Sequence, residues 1–192
     1  MSRQIEEDRR RIDEVLRRIE DARKASPERF LPIVGPVKGQ VLYEAAVKVK
    51  PRRALELGTL VGYSALILAK ADGDCAILTV EENPELAEEA KRNFEDAGVS
   101  DRIEVLVGDA RKAVKDLSGP FDLVFLDIWK EDYVEVLDDC VALLRSGGVL
   151  VADNVLQERP ALHEFRRRVL SHPELETEIV EVRDGMSLST KL

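Results

Sequence analysis

Five times in succession a short apolar run is followed, after a few turn-forming residues, by an amphipathic stretch. RALEL (53–57) precedes YSALILAKA, CAILTVE (75–81) precedes PELAEEAKRNFEDAG (84–98), and RIEVLVGD (102–109) precedes ARKAVKDL. FDLVFLD (121–127) precedes a helix to about Leu144, and VLVAD (149–153) precedes ALHEFRRRVLSH. Short apolar runs bounded by turn residues read as buried strands, and the stretches between them have helical periodicity. Strands joined through helices must lie parallel, so the alternation restricts the chain to βαβ units: a mostly parallel sheet with helices on both faces. Ser146-Gly147-Gly148 reads as the turn into the fifth strand. Two last strand-like runs, ETEIVEVR and MSLSTKL, flank Asp184-Gly185, a hairpin signal. They bring the expected sheet to seven strands, one of them antiparallel.

Two helices stand ahead of this pattern. Residues 2–24 place Ile5, Ile12, Leu16 and Ile19 among dense charges, a narrow apolar stripe that Pro27 and Pro32 close. Residues 1–30 thus form a helical arm. Its stripe packs either on the domain, as a capping helix, or on a second copy, as a homodimer. The next helix runs from Pro36 to Val49 and ends at Pro51. With 192 residues and neither repeat nor internal linker, the chain reads as one domain, 1–192.

Charge and composition exclude several classes of function. A net charge of −9 argues against a general nucleic-acid binder, which needs a cationic face, while leaving room for a local basic patch. No run approaches the roughly 20 apolar residues of a membrane span, and the charged first 16 residues are no signal peptide. Cys75 and Cys140 are far apart and in no ligand spacing, as expected of reduced, buried thiols in a cytoplasmic protein.

In a doubly wound sheet, ligands bind beyond the carboxyl ends of the strands. Here those ends carry, in order, Glu56-Leu57-Gly58, Glu81, Gly108-Asp109-Ala110, Asp127, and Asp153-Asn154. Folding alone does not ask for five polar rims in a row. Gly58 and Gly62, in ELGTLVGYS, allow a backbone to come close to a ligand, yet the segment is neither G-x-G-x-x-G nor a phosphate-binding Gly-Lys-Ser/Thr loop. Glu81 lies 23 positions after Gly58, where an acid can accept hydrogen bonds from ribose hydroxyls. An adenosine-bearing ligand without a pyrophosphate fits both observations.

Asp127, Asp153 and Asn154 end what should be neighbouring strands. Three such oxygens suit a hard divalent cation, Mg²⁺ or Mn²⁺, with open positions for substrate. Lys130 follows Asp127 by three residues. Beside a dication its charged form is disfavoured, so it can take a proton from a hydroxyl. Trp129, the single tryptophan, either walls an aromatic ligand or belongs to the core. His163 and His172 have no triad partners nearby and read as structural.

VGPVKGQ, LELGTLVGYSA, TVEENP, VGDA, FLDIWKEDY, ADNV and DGMSLSTK, in this order, resemble the cation-dependent, S-adenosylmethionine-dependent class I O-methyltransferases. That group includes the catechol and caffeoyl-coenzyme A O-methyltransferases, and the resemblance spans roughly residues 30–192. It implies a Rossmann-like class I methyltransferase fold. It also implies that Val34, Glu56, Gly58, Thr59 and Ser64 line the methionine and sulfonium end of S-adenosylmethionine. By the same resemblance Glu81 holds the ribose, and Asp109 and Ala110 border the adenine. Asp127, Asp153 and Asn154 would bind Mg²⁺ (or Mn²⁺ or Ca²⁺), Asp127 would also touch the cofactor, and Lys130 would be the general base. The implied reaction is in-line methyl transfer to a catechol-like or other oxygenated small aromatic.

The chain departs from that pattern in two places. After Asp153-Asn154 comes VLQERPALHEF, a shorter loop that implies a more open acceptor pocket. Ser187 stands where the catechol enzyme has a glutamate that helps hold the diol. Two other readings fit the same residues: a class I methyltransferase acting on an amine or nucleobase, and a non-catalytic S-adenosylmethionine-binding module.

Overall fold

The computed structural model describes residues 3–192, with side chains from Glu6 onward. The chain runs α1 (Arg3–Ala25), α2 (Gly35–Val49), β1 (Arg53–Leu57), α3 (Tyr63–Ala71), β2 (Ala76–Glu81), α4 (Pro84–Ala97) and β3 (Ile103–Val107). It continues as α5 (Ala110–Asp116), β4 (Phe121–Leu126), a 3₁₀ turn (Lys130–Asp132), α6 (Tyr133–Leu143), β5 (Leu144–Asp153), α7 (Pro160–Leu170), β6 (Leu175–Val180) and β7 (Met186–Lys191). All seven strands join one sheet in the order β3-β2-β1-β4-β5-β7-β6. β1 to β5 pair in parallel, and β7 slots between β5 and β6, antiparallel to both. The hairpin at Asp184-Gly185 therefore inserts one reversed strand, as its turn signal predicts.

The period-two alternation of each strand divides the interior into two layers. On β4, Leu123 and Phe125 join the core under α1 to α4, while Val124 and Leu126 join the core under α5 to α7. β5 divides in the same way, with Val149 and Val151 on one side and Leu150 and Ala152 on the other. Cys75 and Cys140 are free and buried, one in each layer.

The stripe of α1 faces inward. Ile12, Val15, Leu16 and Ile19 are buried in the first layer, where α1 packs on α3 and α4. Its polar flank is tied down as well, by Lys70–Asp13 at 2.5 Å, Arg18–Asp96 at 2.6 Å and the Tyr63 hydroxyl donating to Glu20 at 2.5 Å. The arm is a capping helix, and its stripe is not the homodimer surface that it could have been. The side chain of Ile5 lies outside the described residues.

One expectation needs correction. Ser146-Gly147-Gly148 does not precede the fifth strand but lies within it: β5 already pairs at Leu144 with Phe121, and the register then shifts before Leu123 meets Val149. The glycines fall in a register shift inside the strand rather than in a turn ahead of it. Gly58 and Gly62, read in the sequence as letting the backbone come close to a ligand, also answer to the protein itself. Gly58 (φ 99°) sits where a Cβ would collide with the backbone carbonyl of Asp127, and Gly62 (φ 85°) sits where one would strike the Phe94 ring. Gly58 thus lets the β1 loop lie against the end of β4, and Gly62 lets it lie on α4. Strand order reverses between β1 and β4, so a crevice opens there, bounded by the loops that follow both strands.

Candidate active site

A cavity of about 1020 Å³ fills this crevice. Of the twelve residues singled out in the sequence, eleven line it: Val34, Gly58, Thr59, Ser64, Glu81, Asp109, Ala110, Asp127, Lys130, Asp153 and Asn154. Glu56, the twelfth, lies behind the wall with 0% exposure. Its Oε2 accepts from Thr79 at 2.5 Å, and Thr79 also meets Thr59 at 2.5 Å, but Oε1 is buried with no partner. Burial pushes the Glu56 carboxyl up to about 8, against the opposing pull of the Ser64 and Thr79 hydroxyls. An acid with one unused buried oxygen suits a cationic group placed beside it.

Glu81 ends β2 and takes two backbone amides, Leu60 N at 2.7 Å and Asn83 N at 2.9 Å. It pins the β1 loop to its own strand. A carboxylate has about four acceptor positions, so two remain for hydroxyl donors. Asp109 caps α5 by accepting from Arg111 N at 2.9 Å, and the Arg111 side chain grips it at 3.0 and 2.7 Å. The Arg111 guanidinium holds the Asp109 carboxyl down at about 2.

Around the ends of β4 and β5 the acids meet two lysines. Lys130 begins the 3₁₀ turn rather than a full α-helical turn, and its Nζ donates to Asp127 at 2.6 Å and to the Tyr133 hydroxyl at 2.9 Å. That hydroxyl lies 3.0 Å from the Leu126 carbonyl and 3.1 Å from the Asp153 carbonyl, so Tyr133 ties together the ends of both strands. Asp153 is 1% exposed. Its counter-ion is Lys38 of α2, itself 7% exposed, whose Nζ stands 2.7 Å from Asp153 and 2.7 Å from Asp184. Burial and the neighbouring charge of Asp127 push the Asp153 carboxyl up, while Lys38 opposes them. Burial disfavours the Lys38 ammonium, but its two carboxylate partners outweigh this and raise its affinity for the proton.

Asp184 does more than make a turn. It accepts from Lys38 at 2.7 Å, Asn154 Nδ2 at 2.5 Å and Gln157 Nε2 at 2.7 Å. Against partial burial, these donors hold its carboxyl at about 2. Asn154 sits at φ 58°, a left-handed conformation that asparagine tolerates better than most residues. Among the described residues no three His, Cys, Asp or Glu side chains group as a metal site. The candidate set is two carboxylates and an amide, a donor chemistry suited to a hard cation.

Lys38, Thr79, Tyr133 and Asp184 were given no part in the site by sequence reasoning. Lys38 and Asp153 are 115 positions apart, and nothing local signals their pairing. A lysine on the otherwise apolar inner side of α2 was the one available hint. Trp129 is no core residue: it is 63% exposed on the cavity wall, with Nε1 donating to Glu82 at 2.9 Å. Ser187 does not line the cavity; it is buried opposite Ala152 and Ile179, with its hydroxyl unpartnered. His163 pairs with Glu158 at 2.8 Å and His172 lies 3.5 Å from Asp138, both away from the cavity.

A sheet of this order, with its reversed strand beside β5 and its cavity at the switch point, has the Rossmann-like class I methyltransferase fold. The chain belongs to the O-methyltransferase family, whose sequence model matches residues 12–192. The match reaches into α1, further than the motifs alone indicate. The chain is 42% identical over 126 residues to the catechol O-methyltransferase of Mycobacterium tuberculosis, a stretch covering 65% of this chain and 57% of that one. It superposes on cofactor-bound Rv0187 from MTB with a TM-score of 0.84 and 33% identity, covering 92% of this chain and 89% of that one. TomG of Streptomyces achromogenes, solved in complex with SAM, gives 0.80 and 29%, covering 90% of this chain and 88% of that one. The chain spans less than two thirds of the length of several curated relatives that it matches. Among the described residues no helix is long and apolar enough to cross a membrane.

Proposed function

We propose that this chain is an S-adenosylmethionine-dependent O-methyltransferase that uses a divalent cation, Mg²⁺ or a similar ion, and acts on a catechol-like or other oxygenated small aromatic. One observation carries the reading: Asp127, Lys130, Asp153 and Asn154 line the same cavity as Glu81, Asp109 and the loop in front of the buried Glu56. An acid set for a hard cation thus adjoins a pocket fit for an adenosyl sulfonium.

Val34, Gly58, Thr59 and Ser64 would hold the methionine end of the cofactor. The unused oxygen of Glu56 would face its positive charge, Glu81 its ribose, and Asp109 and Ala110 its adenine. When bound, the cofactor supplies an electrophilic methyl group: the acceptor oxygen bonds to its carbon as the carbon–sulfur bond breaks, and the electron pair stays on sulfur. Asp127, Asp153 and Asn154 would hold the cation, which acidifies the acceptor hydroxyl. Asp127 also accepts from Lys130. Lys130, within reach of that carboxylate, would be the group placed to take the hydroxyl proton. Tyr133 keeps Nζ close by, because its own hydroxyl is fixed between two strand ends. Trp129, Val37 and Phe30, the last 80% exposed, offer apolar surface to an aromatic ring. The two buried, unpaired thiols accord with a reducing cytoplasm.

The test uses labelled S-adenosylmethionine with a panel of catechols, flavonoids and hydroxycinnamates, with Mg²⁺ or with EDTA. Turnover that EDTA abolishes, and that Lys130→Ala reduces by roughly a hundredfold, is expected of general-base chemistry. Turnover indifferent to EDTA would move the assignment to another acceptor, an amine or a nucleobase. Cofactor binding without turnover on any acceptor would leave a non-catalytic binding module.

A further inference from the structure

Nearly every charge on the cavity wall beside the acid set has a partner. Asp127 has Lys130, Asp153 and Asp184 share Lys38, and Asp109 has Arg111. Arg183 is different. It lines the cavity and is exposed, and among the described residues no hydrogen bond or ion pair reaches its guanidinium. Its backbone stands at φ 55°, at the first central position of a turn closed by Gly185 N donating to the Val182 carbonyl at 2.8 Å. Positive φ at that position favours glycine, and an arginine there is strained. Packing does not account for a long cationic side chain on a strained turn.

A second arginine shares the cavity wall. Arg159, at the start of α7, lines the same cavity, and among the described residues its guanidinium is held only by Glu131, at 3.1 Å across an exposed pair. The loops bearing the two arginines are joined by backbone: Val155 N donates to the Gly185 carbonyl at 3.2 Å and Leu156 N to the Asp184 carbonyl at 2.8 Å. The same loops carry Asn154 and Asp184. Both arginines therefore belong to the acceptor end of the cavity. The chain has a net charge of −9, so cations left free at this mouth run against its overall field.

We propose that the aromatic acceptor carries a carboxylate on the ring, away from the hydroxyls, and that Arg183 binds it, with Arg159 as the second donor. A guanidinium matches a carboxylate with two parallel hydrogen bonds, and its rigid fork makes it selective for that shape. The inference rests on the O-methyltransferase reading and narrows its substrate class to aromatic acids. Neutral diols lack the feature that the mouth recognises, and cationic ones are repelled by it.

Equilibrium binding separates this inference from the reading beneath it. The probes are 3,4-dihydroxybenzoate and its methyl ester, which share the diol and differ in charge, titrated by calorimetry into protein loaded with S-adenosylhomocysteine and Mg²⁺. The acid should bind about tenfold tighter than the ester, and in Arg183→Ala the acid-to-ester ratio should fall toward about 1. Arg183→Lys should keep part of the preference, because charge remains but the fork is lost. Equal affinity for acid and ester, no binding of either, or a preference that survives in the Arg183→Ala/Arg159→Ala double variant would overturn the proposal. Methyl transfer is measured separately. Its absence with either compound would count against the O-methyltransferase reading, while the affinity ratio would still decide the role of Arg183.

Discussion

Asn154 donates its amide nitrogen to Asp184 Oδ2 at 2.5 Å, so only the amide oxygen is left to serve a cation. A free asparagine side chain could present either end. Asp184 makes the choice, because a carboxylate can only accept. In Asp184→Asn the acceptor can become a donor, the Asn154 amide can turn over, and its NH₂ group would then oppose the ion. We expect Mn²⁺ affinity to fall by tenfold or more, within the range typical for partners of metal ligands, as read by electron paramagnetic resonance titration. Asp184→Glu should retain most of the affinity.

Glu56 couples the pocket to pH. Burial raises its carboxyl from 4.5 to about 8, so folding favours the protonated form. Its contribution to stability is complete below pH 4.5 and is lost as pH rises toward 8. Glu56→Gln stays neutral throughout. The variant should be flatter in Tm across that window and more stable than the parent at pH 8, as scanning calorimetry in several buffers would show. A cationic cofactor reverses the preference, so its binding to the parent near neutral pH should release protons, seen as a buffer-dependent binding enthalpy that the variant lacks.

Gly58 is where the fold and the site constrain each other. A methyl group there must displace the Asp127 carbonyl, and φ 99° is hostile to any side chain. Gly58→Ala should cost at least about 2 kcal/mol of stability. It should also weaken S-adenosylhomocysteine and Mn²⁺ together, since one movement shifts the cofactor loop and a cation ligand. Chemical denaturation and two binding titrations would test this.

Much of the fold is visible in local pattern. β1 and α3 fall at 53–57 and 63–71, as periodicity and punctuation place them. The register shift within β5 is not visible, because glycine marks a turn and a strand irregularity alike, and only pairing with β4 distinguishes them. In the site, the strand-end acids could be found since topology sends every parallel strand end to one rim. Lys38 and Tyr133 could not. Their partners are set by how α2 and α6 seat on the sheet, and a lysine on α2 or a tyrosine on α6 looks the same in sequence whichever way it is spent.

Ile12 tests the placement of α1. It is fully buried between the arm and the domain. Ile12→Ala should cost about 2–4 kcal/mol through lost burial and the cavity left behind, lowering the urea midpoint. Were the stripe an interface between copies, the substitution would instead change the sedimentation coefficient and leave the midpoint of the monomer in place.

Trp129, the chain's single indole, stands largely in solvent on the cavity wall and hydrogen-bonded to Glu82. Its fluorescence therefore comes from one place. Whatever enters the mouth and displaces water from that ring will shift the emission to the blue and shield it from iodide, so occupancy can be followed by light alone, with no label attached.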